Sequence, residues 1–180
     1  AQTSLPGLVY ERWGYGRSEG LTGPRRNDYL HREAEDSLPE VLAASGVAES
    51  PILFGHSDGG SIALLFAAAY PEQTRAVISE AAHVFVEEIC LAGIRRAGDA
   101  YEQGELRTGL QRHHGDHVDL MFRGWHDVWL RPNRRIWTME AELRRILCPT
   151  LIIQGEDDEY GTRAQVDAIA AGVSGPADIL

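Results

Sequence analysis

Phe54-Gly55-His56-Ser57-Asp58-Gly59-Gly60 sets a serine between an apolar run and a strong helix former. Ahead of it, Pro51-Ile52-Leu53-Phe54 is a short continuous apolar stretch that suits a strand buried on both faces of a parallel sheet. Behind it, Ser61 to Tyr70 is rich in Ala and Leu and stops at Pro71, which cannot continue a helix. A residue in so tight a strand-to-helix turn holds strained dihedrals, so the positions two before and two after it, Gly55 and Gly59, are expected to have to be small. The turn also sets Ser57 at the positive end of the helix, where backbone N–H groups stabilise a developing oxyanion. Asp58 supplies one of these from its backbone, whatever its side chain does.

Composition narrows the class further. With 43% hydrophobic and 24% charged residues, the 180-residue chain reads as globular rather than disordered. A formal net charge of -10 argues against a nucleic-acid or anionic-membrane partner. All 17 basic residues are arginine, and with no lysine after the glycines the turn is not a phosphate-cradling loop. Cys90 and Cys148 are too few and too far apart for a disulfide scaffold or a zinc site. No signal peptide opens the sequence and no apolar run approaches a membrane span, which leaves the cytoplasm as the expected location. The start at Ala1 resembles an internal cut.

Strands and helices alternate along the chain, the signature of a layered α/β sheet. A strand is expected at Leu8-Val9-Tyr10-Glu11. A helix is expected over Asp28 to Ser45, kinked or split at Pro39 and ended by Gly46. Further strands are expected at Ala76 to Ser79 and Pro149 to Gln154, and a helix from Thr162 to Val173. From about His83 to Leu147 the pattern is helical without intervening strands, and reads as an inserted lid. Residues 1–82 and 148–180 then form the core, and 83–147 the lid. Phe122, Trp125 and Trp129 fall on one helical face, mostly as the lid's own core, with one or two left to line an apolar pocket.

Three motifs in order, Arg12-Trp13-Gly14-Tyr15-Gly16-Arg17-Ser18, Gly55-His56-Ser57-Asp58-Gly59 and Pro149-Thr150-Leu151-Ile152-Ile153-Gln154-Gly155-Glu156-Asp157-Asp158, resemble the α/β-hydrolase superfamily. The resemblance covers essentially the whole chain. It implies a mostly parallel sheet flanked by helices, Ser57 as nucleophile, Asp58 N–H as oxyanion donor and Asp158 as the acid that orients a histidine, with Asp157 one position away. It implies no cofactor, and a small-molecule substrate.

Serine chemistry points the same way, because a hydroxyl at neutral pH needs an imidazole base held in one tautomer by a carboxylate. Glu80 with His83 is a second carboxylate–histidine pair, more simply read as strand-end polar groups. His56 is expected beside the nucleophile but directed away from it. His113, His114 and His117 could suggest metal ligands, yet no second cluster completes a shell, so no metal is expected.

All seven histidines precede Asp158, whereas the family places its base after the acid. The first strands and the His-Gly loop that gives the family's second oxyanion N–H do not precede Leu8. The expectation is therefore an internal fragment with parts of the fold missing at both ends, inactive by itself. Its parent is expected to be a serine hydrolase of a small, largely apolar carboxylic ester. C–C bond hydrolases and cofactor-free haloperoxidases share the framework, and a binding protein that has lost the chemistry is the alternative from another class.

Overall fold

The computed structural model describes residues 5–180. Four parallel strands, β1 (Ile52–His56), β2 (Ala76–Glu80), β3 (Thr150–Ile153) and β4 (Ala177–Ile179), lie side by side in that order. Their registers pair Phe54 with Ile78, Ile78 with Leu151, and Leu151 with Asp178. Because all four run the same way, the loops after β1, β2 and β3 gather at one edge of the sheet, where ligands of open α/β sheets bind.

Helix α3 (Asp58–Ala69) is the centre of the core. Every residue from Gly60 to Ala68 is buried, so it is apolar all round, as a helix enclosed on every side must be. It packs on β1 and β2, on α1 (Tyr29–Arg32) and on α7 (Glu140–Leu143). Leu30, Leu64, Leu65, Met139, Leu143 and Ile152 are all 1% exposed or less in this cluster.

Three expectations need correction. Leu8 to Glu11 is not a strand; Val9 is 96% exposed and the segment makes no ladder. The expected interruption of the helix over Asp28 to Ser45 falls ahead of Pro39 rather than at it: α1 is followed by a π-helical turn at Glu33–Ser37 and then α2 (Leu38–Ala44). The π turn lets the ladder skip the N–H that Pro39 lacks, and Gly46, at φ 70°, ends the segment. Finally, β1 is not covered on both faces: Ile52 is 41% and Phe54 65% exposed. Alternate residues of a strand point to opposite faces, so only Leu53 and Gly55 turn to α3.

Between β2 and β3 the chain is helical: α4 (Glu88–Glu102), α5 (Glu105–His114), α6 (Val118–Leu130) and then α7. A single bridge, Phe85 to Thr138, closes the segment at its base. Tyr101, Val118, Met121 and Phe122 form a separate small core here, with the Tyr101 and Phe122 rings stacked 3.7 Å apart. Helix α8 (Arg163–Gly172) follows β3, capped by the Thr162 hydroxyl accepting from Ala164 N–H.

Candidate functional site

Ser57 has φ 55° and ψ -121°, a conformation L-residues rarely adopt, which costs about 1–3 kcal/mol. It persists because both sides are fixed. Ser57 N–H donates to the Glu80 carbonyl at 2.8 Å, and its own carbonyl accepts from Ser61 N–H to begin α3. Gly55 is required by close approach, since a Cβ there would fall on the Gly59 carbonyl and lie 2.7 Å from Gly60 N. Gly59 is a correction: a Cβ there meets nothing within 4 Å. The restricted partner is Gly60, whose Cβ would sit 2.9 Å from Ala82 Cβ where α3 crosses the end of β2. No side chain caps α3, so its first-turn N–H groups, including that of Asp58, have no cap acceptor.

Ser57 opens on a cleft of about 370 Å³. Its floor holds Arg12, His56, Ser57 and Asp58, and its wall is apolar: Ala97 of α4, Leu106 and Leu110 of α5, and Met121, Phe122 and Trp125 of α6. Tyr15, His114 and Tyr160 complete it. Trp129 is not at the cleft; it is 2% exposed in the main core, while Trp125 touches both cores. A shallower depression of about 610 Å³ over the α4–α5 turn, lined by Gln103, Glu105 and Arg112, includes none of the candidate residues.

The side chain of Asp58 is the feature that sequence reasoning passed over. Both its oxygens lie 2.8 Å from the Tyr29 hydroxyl, and Arg12 approaches at 3.4 Å. Trp129 Nε1–H donates to the same hydroxyl at 2.9 Å. Burial is the largest single effect and works against the Arg12 charge, but Asp58, Tyr15, Glu33 and Tyr29 together outweigh it and hold Arg12 above its ordinary range. Burial, then Asp58, pushes Tyr29 well up, so its proton stays on. Beneath them Arg134, fully buried, lies 4.4 Å over Trp129 and 4.0 Å over Trp137, with burial lowering its pKa.

Asp158 sits in the loop after β3. Its Oδ1 accepts from Tyr160 N–H at 2.7 Å and Gly161 N–H at 3.1 Å, an Asx-type turn that carries Tyr160 to the cleft. Asp157, its neighbour, is exposed. The loops that carry Ser57 and Asp158 are thus brought to one edge of the sheet, with β2 between them.

Among the described residues no histidine is hydrogen-bonded to Ser57 Oγ. His56 is exposed and lines the cleft beside it. His83 is 5% exposed, with Nε2 2.9 Å from the Tyr160 carbonyl, and stacks edge-on against Trp129. The Glu80 backbone carbonyl serves Ser57. His114 and His117 grip one residue from two sides: His114 Nδ1 accepts Gly16 N–H, and His117 Nε2 reaches Gly16 O, each at 2.9 Å. Among the described residues no group of three or more His, Cys, Asp or Glu is placed to hold a metal ion. None of the described helices is long and apolar enough to cross a membrane.

Comparison with known proteins gives this geometry its family. The chain is 30% identical over 171 residues to serine hydrolase BPHL of Mus musculus, covering 91% of this chain and 56% of that protein. It therefore spans little more than half the length of that relative. Among solved structures, an alpha/beta hydrolase enzyme from a Medee basin deep-sea metagenome library superposes with a TM-score of 0.68 at 19% identity, covering 95% of this chain and 68% of the other. A thermophilic esterase from Thermogutta terrifontis superposes with a TM-score of 0.65 at 17% identity, covering 92% and 66%. These likenesses establish a shared α/β-hydrolase fold. Residues 7–104, more than half the chain, match the family described as "Serine aminopeptidase, S33", and the protein belongs to that family of α/β-hydrolases.

Proposed function

We propose that the chain carries the nucleophile half of a serine hydrolase that cleaves a small, largely apolar carboxylic ester. The observation that carries this reading is the strained Ser57, set at the N-terminus of α3 and open to an apolar-walled cleft. Ser57 Oγ attacks the ester carbonyl carbon as its proton passes to an imidazole. The carbonyl electron pair moves onto oxygen, facing the Asp58 N–H and the positive end of α3. Collapse of the intermediate expels the alcohol, which takes the proton, and water then releases the acyl group from Ser57 by the reverse roles.

Asp158 orients the imidazole, which comes from a part of the protein outside these 180 residues. That assignment is supported by the hydrogen bonds of His83, His114 and His117 to groups other than Ser57 and by the greater length of the relatives. The helices between β2 and β3 act as the lid, and their Leu106, Leu110, Met121 and Phe122 select an apolar acyl or alcohol group. No cofactor takes part.

The test is turnover of p-nitrophenyl esters of graded chain length by the full-length protein and its Ser57→Ala variant. Turnover lost in the variant is expected; equal turnover by both would overturn the reading. The 180-residue chain alone is expected to show no serine-dependent turnover.

A further inference from the structure

The residue that supplies the oxyanion N–H also carries a carboxylate, which is an electrostatic problem. A free Asp58 side chain at the first position of α3 is an anion beside the unpaired N–H groups of that turn, where it would be attracted as any anion is. It would then occupy the donors the oxyanion needs and repel the negative charge that develops there.

Three other elements prevent this. The Tyr29 hydroxyl, from α1, lies 2.8 Å from both carboxylate oxygens. It accepts the indole N–H of Trp129, from α6, at 2.9 Å, so its own proton is left for Asp58. Arg12, in the segment before α1, brings a compensating charge to Oδ2 at 3.4 Å and is itself stacked 4.6 Å over the Tyr15 ring. Tyr29 is 4% and Asp58 8% exposed, so the pair is screened little by solvent.

We propose that Tyr29 and Arg12 are positioning residues that hold the Asp58 carboxylate compensated and turned away from the reaction, leaving its backbone N–H free for the oxyanion. Trp129 fixes the direction of the Tyr29 proton and so ties this arrangement to the helix that walls the cleft. The assignment rests on the reading of Ser57 as nucleophile and adds a role for side chains that make and break no bond of the substrate.

The experiment measures kcat and KM for a p-nitrophenyl ester in the full-length protein and its variants. Tyr29→Phe deletes the hydroxyl and is expected to lower kcat by about tenfold, with KM little changed, because the lost interaction acts on the transition state alone. Arg12→Gln, the second variant, is expected to lower kcat in the same way. Adding Asp58→Asn to either removes the troublesome charge and is expected to recover most of the loss, which a packing role for Tyr29 or Arg12 would not produce.

If kcat is unchanged in both single variants, or if Asp58→Asn recovers nothing in folded proteins, the assignment is wrong while the nucleophile reading stands. Turnover that survives Ser57→Ala would overturn the nucleophile reading and this assignment with it.

Discussion

His114 and Gly16 are joined by a hydrogen bond that only one protonation state permits. His114 Nδ1 accepts the Gly16 N–H at 2.9 Å, so that nitrogen must be bare. His117, on the other side, reaches the Gly16 carbonyl, a contact that a neutral or a charged ring can make as donor. The pair pins the end of helix α5 and the turn after it to the 11–18 segment, and both Tyr15 and His114 line the cleft.

A pH dependence follows. Burial, then His117 and His113, lower the His114 pKa, with Glu11 opposing them. A depressed folded pKa means that the unfolded state binds more protons, so stability rises with pH. The contribution is complete above the ordinary histidine value near 6.5 and is lost as pH falls through the folded value. The protection factor of the Gly16 amide against hydrogen exchange is expected to fall as His114 is protonated in acid, and that fall is expected to disappear in His114→Gln.

Two glycines of the serine turn are expected to part company. Gly55→Ala forces a Cβ onto backbone that cannot yield and is expected to destabilise by about 3 kcal/mol. Gly59→Ala enters open space inside α3 and is expected to stabilise by about 0.5–1 kcal/mol through helix propensity. Urea unfolding of the two variants measures both signs.

Arg134 tests how a buried cation is held without a carboxylate. Its guanidinium lies over the rings of Tyr29, Trp129 and Trp137 and donates to the Asn27 carbonyl at 2.7 Å. Arg134→Lys keeps the charge but loses the planar face and is expected to cost about 1–2 kcal/mol in thermal unfolding.

Asp158→Asn separates charge from turn geometry. An amide oxygen still accepts from Tyr160 and Gly161 N–H, so the loop is expected to stay folded. On the proposed role of Asp158 as the group that orients the base, loss of its carboxylate is expected to lower kcat of the full-length protein by a factor on the order of 10⁴.

The sheet, the serine turn and the helical stretch between β2 and β3 were legible because each is a local pattern: an apolar run, a glycine-flanked serine, a change of period. What escaped the sequence depends on contacts between distant residues. Nothing near Asp58 announces Tyr29, Arg12 or Trp129 as its anchors, and nothing near Gly16 announces His114 and His117. In sequence their histidines offer only an incomplete set of metal ligands, from which no metal is expected. Pro51 to Phe54 reads as doubly buried because its four side chains are apolar, but burial of Phe54 depends on what lies beside β1. Gly59 was overvalued for the same reason: the motif marks it, and only the packing of α3 shows that Gly60 bears the constraint.

Whether Ser57 is an activated nucleophile is read by treating the full-length protein with a fluorophosphonate and locating the adduct by peptide mass spectrometry. A single adduct on Ser57 is expected, formed at neutral pH and slowed strongly by Asp158→Asn. A folded full-length protein that stays unlabelled at Ser57 would contradict it.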